Sequence, residues 1–99
     1  MYIVECADGA YYTGSTNGDV AARVWEHNHD DVHGAAFTRR RRPVRLVYAE
    51  DYASVADAYA RERQVHGWSR RKKLALIEGR FDDLPQLSQA AVKAPQSSD

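Results

Sequence analysis

The sequence predicts an α/β (α+β) domain: a small three-stranded antiparallel sheet flanked by helices, in the order ββαβαα. Two short runs rich in β-formers, residues 1–6 (MYIVEC) and 10–14 (AYYTG), flank the turn signal Ala7-Asp8-Gly9. A third run, residues 43–50 (PVRLVYAE), alternates Val44, Leu46 and Tyr48 against Arg45 and Val47. Three further segments carry apolar residues at helical spacing, each opened by Asp or Ser. A sheet with one apolar face needs such helices to cover it.

The hairpin has two possible registers. A two-residue Asp8-Gly9 loop puts Tyr2 and Tyr12 on opposite faces. A three-residue loop with Gly9 left-handed pairs Cys6 with Ala10 and Val4 with Tyr12, so that Tyr2, Val4, Tyr12 and Gly14 share one face. Asn17-Gly18-Asp19 marks a loop and cap, with a helix from 20 to about 29 whose stripe is Val20, Arg23, Val24 and His27. Residues 30–42 (DDVHGAAFTRRRR) have no period and read as a connection. Ser54 caps a helix over 55–66 that Gly67 ends, and its stripe is Val55, Ala58, Tyr59 and Glu62, then Val65 or His66. Ser69 caps another through roughly 78, with apolar positions Leu74, Ile77 and Leu76. Beyond Arg80 no period lasts. The expected organisation is one domain over 1–80 and a disordered polar tail over 81–99.

Ninety-nine residues, 43% of them hydrophobic and 28% charged, suit a single domain with one modest core. No apolar run is long enough to span a membrane. The N-terminus lacks the basic flank and apolar block of a signal peptide. The lone cysteine, Cys6, excludes an internal disulfide and any multi-cysteine zinc site, and points to the cytoplasm. The formal net charge of zero is a sum of unequal parts. Residues 1–36 hold one Arg against six acids, a balance of −5; residues 37–80 hold twelve Lys/Arg against five acids, +7; residues 81–99 come to −2. A basic block of this kind suits a polyanion-facing surface, and a solvated charged face explains it equally well.

Glu62 lies on an otherwise apolar stripe, so it is either paired with Arg61, Arg63 or a distant Arg, or it faces a cleft and a metal. Arg23 and His27, one i,i+4 step apart, suit a phosphate grip and a proton carrier, or form an ordinary exposed pair near Glu26. His27-Asn28-His29 spells a nuclease motif whose real residues are dispersed, so the adjacency carries nothing. The cluster of His27, His29, Asp30, Asp31 and His33 likewise reads as an accident of composition. The runs Arg39, Arg40, Arg41, Arg42 and Arg70, Arg71, Lys72, Lys73 are candidates for sequence-independent phosphate contacts. Trp68, between them, is a base-stacking candidate or simply a packed ring.

Taken together, Tyr2-Ile3, then Tyr12-Thr13-Gly14, then Arg23 with His27-Asn28, then Glu62 within RERQVHGW resemble the ordered motifs of the GIY-YIG nuclease superfamily. The segments CADGAYYTG, FTRRRRPVRLVYAE and RERQVHGWSRRKKLALI resemble its small stand-alone bacterial branch, related to the N-terminal domain of excinuclease C. The likeness spans about residues 1–79. It implies a metal-dependent endonuclease acting on nucleic acid, DNA foremost, and favours the three-residue turn, since both motif tyrosines then face one site. In the roles it implies, Glu62 binds one Mg²⁺ or Mn²⁺ and Arg23 stabilises the phosphoryl oxygens. Tyr2, as a phenolate near the metal and Arg23, activates the water; Tyr12 orients water or phosphate, and His27 shares the proton transfer. Gly14 permits close backbone approach, and the two basic runs hold the strand. The competing expectation is a nucleic-acid-binding module without catalysis.

Overall fold

The protein is described from a computed structural model over residues 1–84. The chain divides into two compact units, residues 1–66 and residues from Gly67 onward. The first holds strands β1 (Tyr2–Glu5), β2 (Tyr11–Gly14) and β3 (Arg45–Ala49) with helices α1 (Val20–His29), α2 (Ala36–Arg39) and α3 (Val55–His66). The second holds α4 (Arg70–Ile77) and a 3-10 turn, Phe81–Asp83. The expected polar tail therefore begins with a short ordered turn, and its remainder from residue 85 lies outside the described residues.

The sheet is antiparallel throughout, in the order β2-β1-β3. β1 is central because it is the most apolar strand: Met1, Tyr2, Ile3 and Val4 are all buried. The hairpin takes the three-residue turn, with Val4 opposite Tyr12 and Tyr2 opposite Gly14. Cys6 N–H donates to the Ala10 carbonyl (2.8 Å) and Gly9 N–H to the Cys6 carbonyl (2.9 Å). Gly9 has φ +86°, a left-handed conformation in which a side chain would be strained. At the other end of β1, Met1 and Glu50 exchange hydrogen bonds through the Met1 amine and carbonyl, so pairing with β3 continues one residue past the strand. A bulge between Ile3 and Val4 breaks the expected simple alternation of β3.

The face bearing Tyr2, Val4 and Cys6 forms a core cluster with Val44, and Ala10, Tyr12, Val20 and Val24 pack around it. The predicted α1 stripe thus reaches the sheet. Asp19 caps α1, its side chain accepting from Ala21 N–H at 3.3 Å. Asn28 docks the helix: its amide donates to the Val44 carbonyl (2.9 Å) and its oxygen accepts from Val44 N–H (2.7 Å). One side chain so satisfies both polar groups of the residue that leads into β3.

Two expectations need correction. Residues 30–42 are not an aperiodic connection, since they contain α2. Four residues are too few for hydrophobic periodicity to register, and arginines rather than an apolar stripe hold the segment. Arg42 Nε donates to the His27 carbonyl (2.7 Å) and Nη2 to the Asp30 carbonyl (3.2 Å). Arg39 Nη1 donates to the carbonyls of Asp31 (3.0 Å) and Gly34 (2.9 Å). These donors tie the segment to the His27 carbonyl in the last turn of α1 and to carbonyls of the loop that follows it. The second correction concerns α3, whose buried stripe is Ala58, Glu62 and Val65, while Val55 and Tyr59 are 60% and 56% exposed. The helix is rotated by a fraction of a turn relative to expectation and packs against β2.

α3 and α4 begin as predicted, with Ser54 Oγ accepting from Asp57 N–H (3.1 Å) and Ser69 Oγ from Lys72 N–H (3.2 Å). In α4 the buried residues are Lys73, Ala75 and Leu76, with Leu74 and Ile77 only partly covered. No helix among the described residues is long and apolar enough to cross a membrane.

Replacing Asn28 with Ala strands the Val44 N–H and carbonyl together. Asn28→Ala is expected to cost about 2 kcal/mol, read as a fall of about 10 °C in Tm by circular dichroism. An unchanged Tm would show that water replaces the amide at no cost.

Candidate active site

The hairpin register puts both motif tyrosines on the sheet face that receives α1. Tyr2 lies on the central strand and is 1% exposed. Its phenolic oxygen stands 2.7 Å from His27 Nε2, and His27 is fully buried. The other ring nitrogen, Nδ1, stands 2.9 Å from Thr38 Oγ1 of α2, whose residue is also fully buried. Tyr12, half-buried on β2, meets the His27 ring edge-on with centroids 5.3 Å apart and stacks on Phe37 at 5.8 Å.

Gly14 completes this packing by having no side chain. A Cβ there would lie 2.5 Å from the Tyr2 hydroxyl oxygen and 2.7 Å from its Cζ. The phenol cannot retreat, because its ring is enclosed and its oxygen is held by His27. The glycine of the Tyr-Thr-Gly run is thus the floor on which Tyr2 rests.

The Arg23 cation is close enough to the Tyr2 phenol for each to shift the other's titration. Its Nη1 donates to Glu26 Oε1 (2.8 Å) and to the His33 carbonyl (2.7 Å). Burial opposes its charge, but the bonds to Glu26 and Tyr2 outweigh that and keep it firmly cationic. Burial pushes Tyr2 up to about 12, against the pull of Arg23. Burial also pushes His27 down to about 4, helped by the Arg23 cation. Tyr12 is raised by burial too, and the Glu62 carboxylate adds to the effect while Arg23 opposes it. At neutral pH the resting pair is therefore a neutral phenol beside a neutral imidazole. At Tyr2 desolvation dominates over the cation's attraction.

Glu62 projects from the buried stripe of α3 and is 8% exposed. Neither nearby arginine pairs with it. Arg61 instead grips Glu50, with Nε 3.0 Å from Oε1, in a carboxylate that also accepts from the hydroxyls of Tyr48 and Tyr52. Arg63 is exposed and makes no ion pair among the described residues. Glu62 likewise has no hydrogen bond or ion pair among the described residues, though its charge is felt at the Tyr12 phenol.

The other candidates divide differently. Arg39 and Arg42 hold the α1–α2 loop, as described above. Arg41 Nε donates to Asp8 Oδ2 (3.1 Å), Nη1 donates to the Phe37 carbonyl (2.8 Å), and the guanidinium lies 3.8 Å over the Phe37 ring. Only Arg40 of that run is exposed with no partner among the described residues. In the second unit Arg70 and Arg71 are exposed, Lys73 is buried, and Lys72 Nζ sits 3.9 Å over the Trp68 ring. The histidines of the apparent cluster go separate ways: His27 to Tyr2 and Thr38, His29 onto the Trp25 ring at 4.7 Å, and His33 to Asp30 at 2.8 Å. Among the described residues no three His, Cys, Asp or Glu side chains converge as a metal cage.

Thr38 is the residue that sequence reasoning missed. It lies in a stretch without period, eleven positions from His27, and no spacing rule connects them. Asn28 was singled out only for its place beside His27, whereas its work is to dock α1.

Two consequences can be measured. Gly14→Ala forces the Tyr2 ring off its partner, which is expected to cost about 2 kcal/mol, or about 10 °C in Tm. A Tm within 2 °C (roughly the scatter of such measurements) would sink that account. The unfolded chain takes up a proton on His27 near 6.5, whereas the folded chain does so only near about 4. Between those values the unfolded state binds more protons, so stability is complete above about pH 6.5 and falls as acid is added towards pH 4. His27→Gln should flatten that part of the stability profile. An equal slope in wild type and variant would place the titrating group elsewhere.

The GIY-YIG catalytic domain family matches residues 1–75. UPF0213 proteins of Staphylococcus aureus strains Mu3, Mu50 and N315 are each 48% identical over 80 residues, which is 81% of this chain and 94% of theirs. No solved structure matches the chain significantly. The family match spans the strands and helices that carry Tyr2, Tyr12, Arg23, His27 and Glu62, and the chain belongs to the GIY-YIG family.

Proposed function

We propose that the protein is a metal-dependent endonuclease that hydrolyses phosphodiester bonds in nucleic acid, DNA foremost. Tyr2, Tyr12, Arg23, His27 and Glu62 are its working groups. The observation that carries this reading is Glu62, a largely buried carboxylate without a cationic partner among the described residues, while Arg61 and Arg23 are committed to other acids. Burying such a charge unpaired costs free energy that a ligand can offset. One hard oxygen donor suits Mg²⁺ or Mn²⁺, which commonly take one or two protein carboxylates and fill the rest of the shell with water and phosphate oxygens. Glu62 would hold that ion, and when bound it supplies positive charge for the leaving oxygen.

The chain's own residues supply the remainder. Arg23, kept cationic, stabilises negative charge on the phosphoryl oxygens and on the Tyr2 oxygen as it develops. Tyr2 takes the proton of the attacking water and passes its own to His27, 2.7 Å away. With the phenol at about 12 and the imidazole at about 4, this transfer is unfavourable at rest and proceeds only in concert with attack. Tyr12 orients the water or phosphate beside them. Arg40 and the exposed Arg70 and Arg71 add phosphate contacts. A reducing compartment, the cytoplasm, suits the single buried thiol of Cys6.

Plasmid, flapped and single-stranded DNA incubated with Mg²⁺ or Mn²⁺ should be cut. Glu62→Ala and Tyr2→Phe should each fall below about one-hundredth of the wild-type rate. Intact substrate with both metals and all forms would sink the nuclease reading and leave a binding module. Equal cutting by Glu62→Ala would remove Glu62 from the site.

A further inference from the structure

We propose that Thr38 is a positioning residue: its hydroxyl holds the ring proton of His27 on Nδ1 and thereby aims the Nε2 lone pair at the Tyr2 phenol. Its catalytic value rests on the reading of Tyr2 and His27 as working groups; the proton placement does not.

The polarity of the chain follows independently from its two ends. At one end, a threonine hydroxyl has a single proton. The Thr38 hydroxyl donates it to the Ala35 carbonyl at 3.0 Å, which leaves the oxygen to accept. The group 2.9 Å away, His27 Nδ1, must then carry the hydrogen. At the other end, the Tyr2 oxygen stands 2.7 Å from His27 Nε2, and the nearby Arg23 cation can only donate. The phenolic proton of this enclosed side chain has one acceptor among the described residues, His27 Nε2. Nε2 must therefore present a lone pair, which again places the ring proton on Nδ1. A neutral imidazole has one proton, and both ends assign it to the same nitrogen.

The backbone makes Thr38 a fixed reference. The Ala35 carbonyl also accepts from Thr38 N–H and Arg39 N–H, each at 3.1 Å, so the hydroxyl points at an acceptor that the first turn of α2 has already placed. Without the hydroxyl the Nδ1 proton loses its acceptor, and only the Tyr2 phenol at the far nitrogen is left to favour it there. With the proton on Nε2, two donors would face one another across the 2.7 Å contact and Tyr2 would have nowhere to send its hydrogen.

The test is ¹⁵N NMR of the full chain, with the His27 ring assigned by comparison with His27→Gln. Wild type should show a protonated, pyrrole-like Nδ1 and a lone-pair Nε2. Thr38→Val, which keeps the shape, should move the proton to Nε2 or give an exchanging mixture, and Thr38→Ser should restore the wild-type pattern. In the cleavage assay Thr38→Val should lower kcat by at least about tenfold with KM within about twofold, and Thr38→Ser should recover most of it. A wild-type spectrum with the proton on Nε2 overturns the proposal, even if Thr38→Val does not fold. So does a folded Thr38→Val protein with an unaltered tautomer, or with wild-type kcat. If no DNA is cut but the tautomer shifts as described, the nuclease reading fails and the placement by Thr38 stands.

Discussion

The contact on which the rest of the structure depends is the buried phenol of Tyr2 against the imidazole of His27. It joins the central strand to α1 at the point where the core is most enclosed. A tyrosine hydroxyl taken out of water needs a partner, and so does a histidine. Each satisfies the other, and Thr38 satisfies what remains of the ring. Around this pair the fold leaves little freedom: Gly14 is bare because the phenol lies on it, and Asn28 pins the next turn of α1 to the residue that begins β3. The same desolvation that makes the contact hold the fold together also keeps both groups neutral. Packing and acid–base chemistry are here one constraint.

Beside this neutral pair the fold keeps two charges apart. Arg23 and Glu62 both act on the Tyr12 phenol, in opposite directions. They do not neutralise one another: Arg23 is paired with Glu26, and Arg61, the neighbour of Glu62 in the chain, with Glu50. The tyrosines Tyr48 and Tyr52 reinforce the second of these pairs. The effect is to leave Glu62 as the single acid near the tyrosines without a partner among the described residues. A site that is to receive a phosphate and a cation benefits from this arrangement, since neither charge must first be pulled from a salt bridge between the two.

Most of the fold was legible because its signals are local. The turn Ala7-Asp8-Gly9, the caps Asp19, Ser54 and Ser69, and the stripe of α1 each act over a few residues, and each stands where the pattern put it. The candidate site residues come from a family resemblance rather than from geometry. Periodicity failed where the structure relies on something else. α2 is held by arginine side chains on carbonyls, so its four residues carry no stripe. The stripe of α3 was read one face too far, because Val55 and Tyr59 are as apolar as core residues yet face solvent. Whether Glu62 would be paired was undecidable from sequence. The answer depended on Glu50 reaching Arg61 across eleven positions.

Charge is where folding altered the picture most. The sequence separates an acidic first third from a basic middle, which invites the idea of a basic face. In the first unit three ion pairs join the two segments: Asp8 with Arg41, Asp31 with Arg42 and Glu5 with Arg45. Exposed pairs of this kind contribute little stability each, but they withdraw their arginines from the pool free to meet a polyanion. Of the four consecutive arginines only Arg40 remains uncommitted among the described residues. Affinity for nucleic acid rises with the number of phosphates neutralised, and so does its sensitivity to salt. A unit with few free cations must therefore draw its selectivity from the chemistry of the site rather than from a broad electrostatic grip.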